Sequence, residues 1–256
     1  MILNASQTGS GKALALLHGL FGRSQNFGAL ARRLSAAFRV ISLDLRNHGE
    51  SPHATGMSYA AMAEDVLETL AGSTELPVAL LGHSMGGKVA MVTALARPSA
   101  ISRLLVADIA PISYRHSNRA VAASMLAVPL GAACSRAKAD SVLAEATPDP
   151  RVRAFLLQNF MPGASPAWKI GLAHIAAGMA DIEGFPPLPP HAQYRGPTLF
   201  VRGSESGYVK DAAWPVIRSL FPDAELRTIE GAGHWLHADQ PEAFAESVET
   251  FFCDTP

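Results

Sequence analysis

The sequence predicts an α/β domain: a mostly parallel, twisted sheet flanked by helices, with a helical segment inserted late in the chain. Three observations carry that expectation. Short apolar runs alternate with stretches of helical periodicity through residues 13–108 and again through 197–252. One of these runs, Pro77-Val78-Ala79-Leu80-Leu81, leads through Gly82-His83-Ser84-Met85-Gly86-Gly87 into a helical stretch, so a glycine-flanked serine falls on a strand-to-helix turn. Between residues 112 and 193 the alternation stops, and the composition turns to alanine, methionine and proline with no strand pattern.

In chain order, residues 2–8 suit a short edge strand. Residues 13–17, Ala-Leu-Ala-Leu-Leu, are too short for a helix and read as a buried strand. His18-Gly19-Leu20-Phe21-Gly22 then forms a loop whose glycines let backbone N–H groups turn inward. A helix follows from an N-cap at Ser24 to Leu34. Residues 39–44 give the next strand, and Arg46-Asn47-His48-Gly49-Glu50-Ser51-Pro52 a polar loop braced by an Asp44–Arg46 ion pair. Ser58 caps a helix whose Met62, Val66, Leu67 and Leu70 recur at helical spacing. After the glycine-flanked serine and its helix, residues 101–108 form another strand. The 112–193 segment predicts helices over 120–127, 137–146, 151–160 and 166–180, a cap over the sheet's active edge. The parallel pattern resumes with a strand over 197–202, a helix over 212–221, a strand over 225–229 and a last helix over 241–252. The domain division is therefore 1–111 and 194–256 for the core, and 112–193 for the cap.

The spacing around Ser84 has a steric reason. A serine on so tight a turn takes a strained backbone, and the helix passes close to the strand, so side chains two positions before and after would collide. Gly82 and Gly86 remove them. The Ser84 hydroxyl is then raised clear of the backbone, and the Met85 N–H, at a helix start, faces any developing negative oxygen. The same letters make Gly82-x-x-x-x-Gly87-Lys88, most of a phosphate-binding loop, but Val89 stands where a magnesium-binding hydroxyl belongs.

A serine hydroxyl needs a base. Among nine histidines, His234 in Gly231-Ala232-Gly233-His234-Trp235 follows the last strand, at the same sheet edge as Ser84. His237 suits a supporting place and His83 a packing one. His234 and His237 lack a third partner at metal-ligand spacing, so no metal is expected. With 256 residues and 48% hydrophobic content the chain can bury a large core, and its formal net charge of −1 offers nothing to nucleic acid. Two widely spaced cysteines fit free thiols in a reducing compartment. The start, Met1 to Ser6, lacks a basic, apolar leader pattern. No signal peptide, no membrane insertion and a cytoplasmic location are expected.

His18-Gly19, Asp44-x-Arg46-x-His48-Gly49-x-Ser51, Gly82-His83-Ser84-Met85-Gly86-Gly87 and Gly233-His234-Trp235 together resemble the α/β-hydrolase superfamily, in the right order across almost the whole chain. More narrowly, residues 18–22, Ala107-Asp108-Ile109-Ala110-Pro111 and residues 232–238 resemble the YbfF-type bacterial esterases and the ABHD11-like hydrolases. The resemblance implies an α/β-hydrolase fold and a cofactor-free serine esterase or thioesterase, with a cap over its pocket. It also implies an acid between Ser84 and His234. The superfamily's usual slot, three residues past Gly203, is Ser206; Glu205 is one position off and Asp211 further on. The narrower family takes its acid from the earlier strand, which here is Asp108. Asp108 is favoured over Glu205, with a hinge role at the 109–114 turn as the plain alternative. The oxyanion donors are expected at Met85 and Leu20, with Phe21 as a substitute for Leu20. Asn26, Tyr59, Met85, Tyr114 and Trp235 are candidate pocket residues.

The expected function is hydrolysis of a small carboxylic ester or thioester through an acyl-enzyme on Ser84. The alternatives are a non-catalytic binding protein on the same scaffold, or perhydrolysis or carbon–carbon cleavage by it.

Overall fold

The computed structural model describes residues 1–114, 118–131 and 134–253. The divisions 112–193 and 194–256 thus include residues 115–117, 132–133 and 254–256, which lie outside the described residues.

The chain opens with strands β1 (Ala5–Thr8) and β2 (Lys12–Leu17), helix α1 (Gly28–Leu34), strand β3 (Phe38–Leu43), helix α2 (Tyr59–Ser73), strand β4 (Val78–His83), helix α3 (Met85–Ala96) and strand β5 (Ile101–Ala107). Then come helices α4 (Asn118–Leu126), α5 (Arg136–Leu143) and α6 (Pro150–Leu156), strands β6 (Phe160–Met161) and β7 (Ala167–Trp168), and helices α7 (Leu172–Ala177) and α8 (Met179–Glu183). Strand β8 (Thr198–Gly203), helix α9 (Trp214–Leu220), strand β9 (Ala224–Ile229) and helices α10 (Leu236–Asp239) and α11 (Pro241–Cys253) close the chain.

Seven strands form one sheet in the order β1-β3-β2-β4-β5-β8-β9. All neighbours are parallel except the edge pair β1–β3. The central strands are apolar on both faces because helices cover both. They show no alternation between buried and exposed positions: Leu80, Leu81, Leu104, Leu105 and Val106 are all 0% exposed. Crossovers between parallel strands bring every strand's carboxyl end to one edge, where the loops after β2, β4, β5, β8 and β9 meet.

Several local expectations are corrected. The helix expected from Ser24 begins as a 3-10 turn over Ser24–Phe27, with Arg23 rather than Ser24 at its N-cap. Ser24 lies inside the turn, and its N–H donates to Asp44 at 2.7 Å. The Asp44–Arg46 pair does not form. Arg46 Nε instead donates to the buried Asp65 at 2.6 Å. The Asp44 carboxylate is taken up by N–H donors from Ser24, Glu50 and Asn4. Burial opposes its ionisation, yet those donors hold the carboxyl below its ordinary range. Between β5 and β8 the expected strand-free run contains the two-stranded hairpin β6–β7, and residues 166–180 divide between β7 and two short helices. Ser58 does cap α2, accepting from the Ala61 N–H at 3.3 Å.

The 112–193 segment is tied to the sheet domain at several points. The Tyr59 hydroxyl donates to Ile182 O at 2.6 Å, Asn159 Nδ2 to Phe21 O at 2.7 Å, and Gly171 N–H to Asn47 O at 2.8 Å.

Candidate active site

Ser84 sits between β4 and α3 with φ 53° and ψ −120°, a backbone conformation that the packing around it must enforce. The enforcement is visible. A methyl group at Gly82 would collide with the Gly86 backbone, and one at Gly86 with the carbonyls of Leu17 and His18, all closer than 3.0 Å. The parallel ladder continues past the strand ends. Ser84 N–H donates to Ala107 O at 2.9 Å, and Asp108 N–H to Val201 O at 2.8 Å. These bonds fix both residues to the sheet. Asp108 also has a positive φ, 50°, which turns its side chain back along the sheet edge.

The structure brings Ser84, His234 and Asp108 together. His234 Nε2 lies 3.0 Å from Ser84 Oγ, and His234 Nδ1 lies 2.7 Å from Asp108 Oδ2. A carboxylate only accepts, so the ring proton sits on Nδ1 and Nε2 is free to accept from the serine. Asp108 is fully buried. Its other partners are the Gly203 N–H at 3.2 Å and the Ser206 hydroxyl, so the usual acid slot holds a donor to the carboxylate instead. Glu205 is exposed, and Asp211, also exposed, pairs with Arg202 at 2.7 Å; neither reaches His234.

His83 does more than pack. It is buried, and its Nε2–H donates to His234 O at 2.8 Å, which holds the backbone of the histidine loop. Burial keeps His83 well below the ordinary histidine range, and burial takes His237 down to about 4, so both are neutral at pH 7.

Of the two candidates for the loop donor after β2, Phe21 is spent. Its N–H donates to His48 Nε2 at 3.1 Å. His48 is fully buried, and burial depresses its pKa to about 3, so the ring stays neutral and keeps that acceptor. Among the described residues Leu20 N–H has no such bond, and the loop passes beside Ser84: a methyl at Gly19 would lie 3.3 Å from Ser84 Cβ. The Met85 N–H, first in α3, has no acceptor within the helix.

A cavity of about 480 Å³ opens over Ser84 and His234. Asn26 and Trp235 line it as expected, but Tyr59, Met85 and Tyr114 face a separate small cavity of about 30 Å³ behind Ser84. Much of the larger cavity's apolar wall comes from Val121, Val152, Phe155 and Leu156 in the 112–193 segment, which no motif singled out. Lys88, central to the phosphate-loop alternative, is 1% exposed. Its ammonium donates to the carbonyls of Glu183 and Gly184 and lies 4.8 Å from the Tyr114 ring centroid, so it cannot meet a phosphate. Burial takes its pKa down to about 7. Among the described residues no group of three or more His, Cys, Asp or Glu could hold a metal ion, and no helix is long and apolar enough to cross a membrane.

Comparison with known proteins agrees with this geometry. A family described as the alpha/beta hydrolase family matches residues 14–247. The mouse sn-1-specific diacylglycerol lipase ABHD11 is 39% identical over 93% of this chain and 80% of its own length. Esterase YbfF of Escherichia coli is 34% identical over 94% of this chain and 93% of its own. A solved marine microorganism esterase superposes with a TM-score of 0.93 at 36% identity, covering 98% of this chain and 99% of that one.

Proposed function

The chain belongs to the alpha/beta hydrolase family, and from that premise we propose that it hydrolyses small carboxylic esters through an acyl-enzyme on Ser84. The single observation that carries the reading is the unbroken line Ser84 Oγ, His234, Asp108, at 3.0 and 2.7 Å. Relatives named as esterases and lipases support the ester bond as the target.

Each step follows from the placement of atoms. Ser84 Oγ attacks the carbonyl carbon while His234 Nε2 takes its proton, and Asp108 holds the Nδ1–H and stabilises the imidazolium that results. The carbonyl oxygen becomes an alkoxide that the N–H groups of Leu20 and Met85 receive; a donor of this kind is worth roughly 10²- to 10³-fold in kcat. The imidazolium returns its proton to the departing alcohol. Water, deprotonated by the same Nε2, then releases the acid and restores the serine. The apolar wall of Val121, Val152, Phe155, Leu156 and Trp235 suits an acyl chain or an apolar alcohol. Residues 112–193 act as the cap that closes this wall over the core formed by 1–111 and 194–256.

The test is labelling with a fluorophosphonate probe alongside hydrolysis of p-nitrophenyl esters of graded length. Wild type should label and turn over; Ser84→Ala should do neither. A Ser84→Ala variant that keeps its esterase activity would overturn the reading.

A further inference from the structure

We propose that Tyr208 is a positioning residue for His234: its ring, stacked on the imidazole, fixes the plane in which that imidazole joins Ser84 to Asp108. The proposal deepens the reading above and rests on it.

The two rings lie face to face, 3.8 Å apart between centroids and 13° from parallel. Hydrogen bonds at both ring nitrogens leave the imidazole one freedom, rocking about the line through Nδ1 and Nε2. A hydrogen bond at each end resists such rocking poorly; a flat partner against one face resists it directly. A further constraint comes from His83, whose ring centroid is 4.8 Å away at 40°.

Tyr208 is itself held in place. Its carbonyl accepts from the Tyr114 hydroxyl at 2.6 Å, and its N–H donates to Ser206 Oγ at 3.3 Å. Tyr114 in turn accepts from the Ala110 N–H at 2.8 Å, lies over the Lys88 ammonium, and donates its own N–H to Glu183 O at 2.8 Å. The loop after β8, which in the common arrangement would carry the acid, here carries two other parts: Ser206 against the carboxylate and Tyr208 against the imidazole. Tyr208 also connects the imidazole to the 112–193 segment through Tyr114.

The stack has an electrostatic consequence. An aromatic face favours a cation lying over it, so the ring stabilises the imidazolium relative to the neutral form. Burial raises the Tyr208 phenol, which stays protonated and neutral through the working range. The other ionisable groups facing His234 are Asp108 from the end of β5, His83 from the end of β4 and His237 from α10. His83 and His237 are neutral, which leaves Asp108 and the Tyr208 face as the partners that favour the charged ring.

The experiment compares Tyr208→Phe and Tyr208→Leu with wild type, using p-nitrophenyl acetate across pH. Tyr208→Leu should lower kcat by about 10-fold or more with KM within about threefold, the signature of lost transition-state alignment. It should also move the acid limb of the pH–rate profile down by about half to one pH unit. Tyr208→Phe, which keeps the ring, should restore both to near wild type. A second measurement needs no variant: in the wild-type NMR spectrum the His234 Cε1 proton should be displaced upfield by the stacked ring. Equal impairment of the phenylalanine and leucine variants, an unchanged leucine variant, or a random-coil shift for that proton would overturn the proposal. Each of these can occur while wild type still labels at Ser84, so they are distinct from failure of the acyl-enzyme reading. Absence of Ser84 labelling in wild type would overturn both.

Discussion

Replacing Asp108 by asparagine probes the site at its most buried member. The carboxylate accepts from His234 at 2.7 Å, from the Gly203 N–H at 3.2 Å and from the Ser206 hydroxyl. Asparagine offers one acceptor oxygen and an NH₂ that only donates. If the oxygen stays with Gly203 and Ser206, the NH₂ faces His234 Nδ1, which must then be bare. The ring proton moves to Nε2 and points at Ser84 Oγ, 3.0 Å away. An imidazole in that tautomer cannot accept the serine proton. In a serine–histidine–carboxylate line this error costs about 10⁴-fold in kcat, or roughly 5.5 kcal/mol of transition-state stabilisation. The effect on stability is smaller, about 1–3 kcal/mol if one donor loses its acceptor. The assay is kcat/KM on p-nitrophenyl acetate, with the thermal midpoint as a check that the variant is folded. Glu205→Gln, at an exposed position, should stay near wild type. A folded Asp108→Asn enzyme within tenfold of wild type, or a Glu205→Gln enzyme equally crippled, would refute the assignment.

Three further outcomes are expected. Gly82→Ala drives a methyl into the Gly86 backbone, so it should lose at least the about 1–3 kcal/mol of an overpacked core in denaturant melts, with activity falling as the serine turn shifts. Asp65→Ala leaves Arg46, a buried guanidinium, without its 2.6 Å partner, and urea unfolding should register a loss of about 3–5 kcal/mol. Acid should destabilise the fold through His18, His48 and His83, all buried and all depressed below the ordinary value of 6.5 by burial. The unfolded chain then binds more protons below pH 6.5, so stability is intact above that pH and lost as pH falls toward the folded-state values. At pH 5 each histidine held neutral contributes a loss of about 2 kcal/mol. The thermal midpoint should therefore drop by on the order of 10 °C between pH 8 and pH 5, and an unchanged midpoint would count against the buried neutral histidines.

The parts of the molecule that are legible in the sequence are those where one local rule dominates. The central strands read clearly because burial on both faces leaves them uniformly apolar. The serine turn reads clearly because close backbone approach admits only glycine at positions 82 and 86. Helix α2 is legible at its start because the Ser58 cap is a local event. What stays hidden depends on distant partners. Arg46 pairs with Asp65, nineteen positions on, rather than with Asp44 two positions back; sequence proximity points to the wrong carboxylate because Asp44 is claimed by backbone donors of another loop. His83 cannot be seen as a support for the histidine loop, since its acceptor lies 151 positions away. The hairpin β6–β7 has strands of two residues each, too short for any period to emerge. The pocket wall from α4 and α6 carries no motif because its only requirement is to be apolar.

The position of the carboxylate shows why such a site tolerates rearrangement. Strand β5 lies between β4, which carries Ser84, and β8, whose following loop is the common source of the acid. A carboxylate leaving β5 therefore starts nearer the serine and must be turned back to meet the imidazole from the far side. The positive φ of Asp108 provides that turn, and its N–H bond to Val201 O anchors it to β8. Once the charge comes from β5, the loop after β8 no longer needs to supply one. Its serine at the vacated slot now donates to the carboxylate, and Gly203 N–H does the same from the strand end. What His234 requires at Nδ1 is a buried, fully hydrogen-bonded negative charge, not a particular strand of origin. Two neighbouring strand ends divide the task, and the geometry at the imidazole is the same as if one had done it alone.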